Sequence, residues 1–347
     1  MSLNFLPTQP AEQADLLEYL VSCFGARPDA PIANPELMRW KYFQPRLDWS
    51  GPRSYVLKQE ERIVAHVGFF PLTFLLASGE VAGVHPMDWV TSLRGAGVGA
   101  RLMRELAALA EVLLTTGGSL KAQKALPKAG FQPYGSLDLF ARVARPWSQI
   151  RSLPSKRWRT PLKLARNTVW SRTPLAPAGE WWALPVSRLD AGTLPASLNR
   201  TSDAVTPLKR SPPMFEYMLA CPGVVFSASL LLEGKKTRGY FVLSRVGLQT
   251  RIADLFLDSD RPADWRAAFS VASRTAAEDR STCELMAGAS TQLTRDAILA
   301  NGFRLRRHDP IFIYDPKSLL TSAPPVNLNL LDGDEFYMQD PAHPYLT

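Results

Sequence analysis

Hydrophobic and polar positions alternate and recur in two blocks of similar order. In the first block, Arg53–Gln59 and Ile63–Leu76 are rich in β-branched and aromatic residues and read as strands, with Glu60-Glu61-Arg62 as a hairpin interruption. A further strand is expected from Val81 to Thr91. Arg94–Leu114 then places Leu102, Leu106, Leu109 and Leu113 at helical spacing. A second helix is expected over Ser119–Ala129, stopped by Gly130 as a left-handed cap, and Phe131 opens another strand.

The second block repeats these features. Asn34-Pro35-Glu36 through Pro45 matches Ser211-Pro212-Pro213 through Pro222: a polar cap, proline, a short apolar-faced helix with an aromatic (Trp40, Tyr217), and a closing proline. Ala129-Gly130-Phe131 matches Asn301-Gly302-Phe303, and Gly68-Phe69 matches Gly239-Tyr240. The offsets of 177, 172 and 171 keep the same order, which argues for a duplicated domain. The expected division is 1–144 and 179–320 for the two lobes, 145–178 for a connection, and 321–347 for an extended tail.

Length and charge refine this. The 347 residues suit two domains, and 46% hydrophobic content supports a packed core. No run of 18 apolar residues is present, and the first residues do not read as a secretory signal. Three dispersed cysteines (Cys23, Cys221, Cys283) and four unclustered histidines predict neither a disulfide framework nor a metal site. A cytoplasmic protein is expected. The net charge of +8 is local: residues 142–172 hold nine Arg or Lys and no Asp or Glu, so the remainder carries −1. This basic, Pro- and Trp-rich connection reads either as a solvated linker with tryptophans packed between lobes, or as a contact for an anionic partner. Such a partner would be an anionic membrane surface, placing the protein peripherally at the inner membrane, or an acidic glycan. Thr160-Pro161 opens a helix in it, with Leu162, Ala165 and Val169 on one side and Lys163 and Arg166 off it. No nucleic-acid motif accompanies the charge.

Chemistry concentrates in Asp88-Trp89-Val90-Thr91-Ser92-Leu93-Arg94-Gly95-Ala96-Gly97-Val98-Gly99-Ala100, a strand, a glycine-rich turn and a helix start. Amides at such a turn form an anion site, and glycines let a pyrophosphate approach. A Walker loop is excluded because no Gly-Lys-Ser/Thr follows. The dinucleotide fingerprint is matched formally, but the next strand ends in Thr115-Thr116-Gly117-Gly118 rather than in an acid, and a helix and meander precede it.

Arg94-Gly95-Ala96-Gly97-Val98-Gly99 resembles the pyrophosphate loop of the GNAT acyltransferases, the acetyl-CoA N-acetyltransferase superfamily. Met87-Asp88-Trp89-Val90 resembles its fourth strand, and Leu126-Pro127-Lys128-Ala129-Gly130-Phe131 its later helix end. The resemblance covers about residues 50–143 well and 205–315 weakly. It implies an α/β (α+β) fold of two GNAT-like lobes, each a mixed, mostly antiparallel sheet flanked by helices. It implies acetyl-CoA or another acyl-CoA as cosubstrate, with Arg94, Gly95, Ala96, Gly97, Val98, Gly99 and Ala100 at the pyrophosphate and the Val90 amide on the thioester carbonyl. An amine or hydroxyl acceptor, such as an amino sugar or glycan precursor, would attack directly. Asp88 and His85 are the alternative bases; His66 reads as a core histidine. The family's leaving-group Tyr is replaced by Leu126. The second lobe has Asp258-Ser259-Asp260-Arg261 in place of the loop and reads as degenerate. A non-catalytic acyl-CoA- or partner-binding protein is the alternative, and a nicotinamide-linked oxidoreductase a third reading.

Overall fold

A computed structural model describes residues 3–93, 97–155, 158 and 160–347. The first lobe runs β1 (Asn4–Pro7), α1 (Gln13–Phe24), α2 (Pro35–Met38), β2 (Ser54–Gln59), β3 (Arg62–Leu76), β4 (Gly79–Thr91), α3 (Val98–Ala107), β5 (Val112–Thr116), α4 (Leu120–Ala125) and β6 (Gln132–Val143). The connection holds α5 (Pro146–Arg151) and α6 (Thr160–Ser171). The second lobe runs β7 (Trp181–Val186), α7 (Pro212–Met218), β8 (Val225–Glu233), β9 (Lys236–Val246), β10 (Gln249–Leu257), α8 (Pro262–Glu278), β11 (Glu284–Ala289), α9 (Gln292–Ala300) and β12 (Arg304–Tyr314). Asn34 caps α2 by accepting from the Glu36 and Leu37 amides, and Ser211 caps α7 through the Met214 amide. Both caps fall where the repeated sequence put them.

The expected helix over 94–114 is shorter. Leu102 and Leu106 lie on the buried face of α3, but the helix ends at Ala107, and Leu113 belongs to β5. Val112–Leu114 is buried on both faces, so sheet pairing there prevails over a helical spacing that continues in the sequence. Pro127 follows α4 in a single 3-10 turn, and Gly130 closes it at φ +91°.

All twelve strands form one sheet, in the order β1-β2-β3-β4-β5-β12-β6-β11-β10-β9-β8-β7. The lobes have exchanged their final strands. β12 pairs antiparallel with β5, and β6 pairs antiparallel with β11. The two exchanged strands pair with each other at the centre. α3 packs on one face of the first lobe against Val67, Phe69 and Val84, and α8 and α9 cover the same layer of the second. The opposite face carries one core shared by both lobes.

The matched aromatics of the two repeats meet inside that shared core. Trp40 Nε1 donates to the Tyr217 carbonyl at 3.0 Å, and the Tyr217 hydroxyl donates to the Trp40 carbonyl at 2.6 Å. Their rings stack with centroids 5.1 Å apart at 14°. Such a reciprocal contact is what a pseudo-two-fold axis between duplicated units requires.

Two segments expected to be loose are packed. Arg142 donates to the carbonyls of Asn301 and Thr173, and Arg145 to those of Ala277, Asp279 and Thr282, so two of the nine basic residues bind backbone carbonyls of the connection and the second lobe. The segment 321–347 has little regular structure, yet Val326, Leu328, Leu330, Leu331, Phe336 and Tyr337 are all buried.

Trp40→Ala and Tyr217→Ala are each expected to destabilise the chain by about 3–5 kcal/mol. Denaturant unfolding of the double variant should fall short of the sum by about 0.5–3 kcal/mol. Strict additivity would contradict the reciprocal contact.

Candidate active-site cleft

β4 and β5 pair in parallel only at Gly83–Val112 and Val84–Leu113. From His85 onwards they part. The gap opens into a cleft of about 470 Å³, walled by His85, Asp88 and Trp89 from β4 and by Thr115 and Thr116 from β5. Arg307 and Asp309 of β12 and Asp334 and Glu335 of the C-terminal segment close the far side. Both exchanged and tail residues of the second lobe therefore complete a first-lobe cleft.

A bulge in β4 shapes its wall. The register with β3 shifts between His66 and Gly68, and Asp88 sits at φ +49°. Asp88 is held there by Lys41, whose Nζ lies 2.5 Å from Oδ2, and by the Tyr42 hydroxyl, which donates to the same oxygen. Both charged side chains are under a tenth exposed. Tyr42 needs Gly68 opposite it: a Cβ there would lie 2.3 Å from the Tyr42 ring. His66 is fully buried, its Nδ1 donating to the Asp88 carbonyl at 3.0 Å, with Nε2 3.0 Å from Ser54 Oγ. Burial holds its pKa down at about 4, so it is a neutral core histidine. Burial alone would raise the Asp88 carboxyl. The Lys41 charge and the hydrogen bonds from Lys41 and Tyr42 outweigh that and hold it below the usual carboxylate range. An acid so committed is a weak proton acceptor, and its geometry is that of a positioning residue.

His85 is also on the cleft wall. Its Nδ1 donates to the Asp332 carbonyl at 2.9 Å, which leaves Nε2 as the acceptor 3.2 Å from Thr116 Oγ1. Glu335 differs. Burial, with help from Asp334 and Asp309, raises its carboxyl to about 7 against the opposing charges of Arg307 and Arg251. It pairs with Arg307 at the cleft. The run Asp332–Glu335 is visible in the sequence, but nothing local connects it to residues about 250 positions earlier.

Val90 lies opposite His66. The Ser92 amide donates to the Val64 carbonyl at 3.1 Å, so ladder alternation turns the Val90 amide towards β3 as well. Trp89, beside it, lines the cleft and reaches the first turn of α3: a Cβ on Gly99 would sit 3.2 Å from its indole. Gly97 is the left-handed cap of α3 at φ +65°, and no side chain caps this end. Among the described residues, a Cβ at Gly97 would meet nothing within 4 Å, which leaves room beside the orphan amides. Val98 is buried and Ala100 half-buried. Arg94, Gly95 and Ala96 lie outside the described residues. The donors suit an anion such as a diphosphate. Among the described residues no His, Cys, Asp and Glu cluster fits a metal.

The second lobe offers no equivalent. Ser259 Oγ donates to Asp264, and Trp265 Nε1 to the Ser259 carbonyl, so the start of α8 is engaged by its own residues. Its splay is filled from within. Arg210 bridges Asp254 of β10 to Asp332, and Leu330 packs so close to Gly288 of β11 that a Cβ would lie 2.5 Å away.

Residues 15–131 match the sequence model of the Acetyltransferase (GNAT) family. Among solved structures, yeast (Saccharomyces cerevisiae) N-myristoyltransferase with bound myristoylCoA superposes with a TM-score of 0.58 at 14% identity, covering 90% of this chain and 83% of that one. A GCN5-related N-acetyltransferase from Anabaena variabilis gives 0.58 at 13% identity, covering 90% and 72%. A tandem GNAT protein from the clavulanic acid biosynthesis pathway gives 0.54 at 13% identity, covering 90% and 98%. These likenesses establish the fold. A comparison with curated protein sequences finds no significant match.

Asp88→Asn would strand the Lys41 ammonium in the interior, and is expected to destabilise the chain by about 3–5 kcal/mol. The Asp88 carboxyl is depressed in the folded state, so its contribution is present at neutral pH and lost as pH falls through that lowered value. Unfolding free energy measured against pH should show this acid limb in the parent and a reduced one in the variant. Equal stability of the two proteins would contradict the pairing.

Proposed function

We propose, from the premise that the chain is a tandem member of the GNAT superfamily, that it transfers an acyl group from acyl-CoA to a primary amine. The observation that carries this reading is the parting of β4 and β5 at His85, which joins an uncapped helix start to a carboxyl-bearing cleft. The diphosphate of the thioester substrate is received by the amides of Gly97, Val98, Gly99 and Ala100, with Arg94, Gly95 and Ala96 completing the loop. The Trp89 amide, past the left-handed Asp88, takes the thioester oxygen in place of the Val90 amide expected from the sequence.

The acceptor enters from the side of Asp309, Asp334 and Glu335. Three carboxyls there favour a cationic ammonium over a neutral hydroxyl or an anionic sugar acid. An amino sugar is an amine of this kind. Glu335 takes the proton from the ammonium. The free amine nitrogen attacks the carbonyl carbon, the C–S bond breaks as sulfur leaves as the thiolate, and the nitrogen gives up its second proton as the amide forms. Leu126, buried on the cleft wall, has no proton to give, so the thiolate takes, through water, the proton that the nitrogen sheds. His85 and the Lys41–Asp88 pair hold the wall in shape. The absence of a leaving-group acid at Leu126 supports a second reading, a protein that binds acyl-CoA without transferring.

Calorimetric titration of acetyl-CoA should give binding that Gly97→Glu weakens about tenfold or more, since a carboxylate would face the diphosphate. Thiol release measured with a panel of amines, amino sugars included, separates the two readings: binding with no release under any amine favours the second. For a transferring enzyme, kcat/KM should rise with pH, because Glu335 accepts a proton only when ionised, with an apparent pKa near 7. Glu335→Gln should lower kcat by about 10²–10⁴ and remove that limb. An unchanged pH profile would exclude Glu335 as the base.

A further inference from the structure

α6 is inside out. Asn167 on it is fully buried and donates through Nδ2 to Gln149 Oε1 at 2.7 Å. Gln149, itself fully buried, donates to Glu284 Oε2 at 3.1 Å and to Thr347 Oγ1 at 2.6 Å. The helix therefore docks on the protein through a polar face. Its apolar stripe of Leu162, Ala165 and Val169, at positions i, i+3 and i+7, faces outward, with Leu162 and Val169 each 66% exposed. Trp158, four residues before Leu162 in the sequence, is 77% exposed, and Trp147 on the adjoining α5 is 64% exposed. The tryptophans at 147 and 158 are thus not packed between the lobes.

Cations border this ridge. The guanidinium of Arg166 lies 4.3 Å from the Trp170 ring centroid, and those of Arg304 and Arg306 on β12 lie 5.4 Å away. Arg151, Lys163 and Arg172 add further charge. Among the described residues, none of these six has a carboxylate within 4.0 Å. Burial, together with its neighbours Arg166 and Arg306, lowers the Lys163 pKa against the opposing pull of Glu284. The patch is a concentration of positive charge on which Glu284 exerts a pull without closing an ion pair among the described residues.

We propose that the outward face of α6, with Trp147 and Trp158, docks on an anionic lipid bilayer. Apolar side chains and tryptophan at the headgroup level, with arginine and lysine around them and no acid between 142 and 172, are what an interfacial helix needs. A protein partner would have to supply both an apolar groove and a surplus of carboxylates; a bilayer of acidic lipid supplies both at once. The helix lies on the surface and does not enter it as a span: no helix among the described residues is long and apolar enough to cross a membrane.

The test is co-sedimentation of the full chain with vesicles of equal parts phosphatidylglycerol and phosphatidylcholine, and with phosphatidylcholine alone. Binding is expected only to the first, falling about tenfold or more between low and high salt. Leu162→Glu with Val169→Glu should abolish it, and Arg151→Gln and Arg304→Gln should each weaken it about fivefold. All four positions lie at the surface, and circular dichroism checks that the variants remain folded. Failure to bind the anionic vesicles would overturn the proposal, as would binding indifferent to headgroup charge. Self-association removed by the double variant, without vesicle binding, would assign the face to a second copy instead.

Discussion

The clasp between Trp40 and Tyr217 is the contact on which the rest of the architecture depends. Equivalent residues of two repeats exchange hydrogen bonds across a pseudo-two-fold, with their rings stacked between them. The guanidinium groups of Arg46 and Arg53 each lie 4.6 Å from the Tyr217 ring, so the clasp is also bordered by cations. With the final strands exchanged, neither lobe can complete its sheet alone. The duplication thus yields one continuous sheet and one shared core.

That union explains how symmetric halves divide their labour. Each lobe has a splay where its parallel strand pair ends. In the second lobe the chain fills the opening with Leu330 and an Arg210–Asp254–Asp332 network. The same segment then continues to the first lobe, where the Asp332 carbonyl receives His85 and Glu335 reaches the cleft. One stretch of six residues, Leu330–Glu335, fills one splay and lines the other. The Lys41–Asp88 pair serves a related purpose. It holds a left-handed aspartate in a buried bulge, and such strain persists where the surroundings over-determine it.

Features set by local chemistry were legible in the sequence. The caps Asn34 and Ser211, the left-handed Gly130 and the hairpin at Glu60-Glu61-Arg62 each follow from a few adjacent residues. The repeat was legible because its halves kept the same caps and aromatics. Leu113 fits both the helical spacing of 94–114 and the strand that ends in Thr115-Thr116, because an apolar run buried on both faces has no period of its own; it belongs to the strand. The strand exchange could not be read, since both lobes offer the same edge. Glu335 was out of reach because its place at the cleft comes from a fold contact across most of the chain, and the inverted α6 because sequence gives a helix two faces without saying which one docks.

On the proposed function, a thioester-bearing nucleotide sits where β4 hands over to α3, in the first lobe alone. Amide hydrogen exchange with and without CoA tests it most directly. New protection is expected at Gly97–Ala100 and around Trp89, with the corresponding amides at the start of α8 unchanged. Protection at α8 instead, or none anywhere, would contradict it.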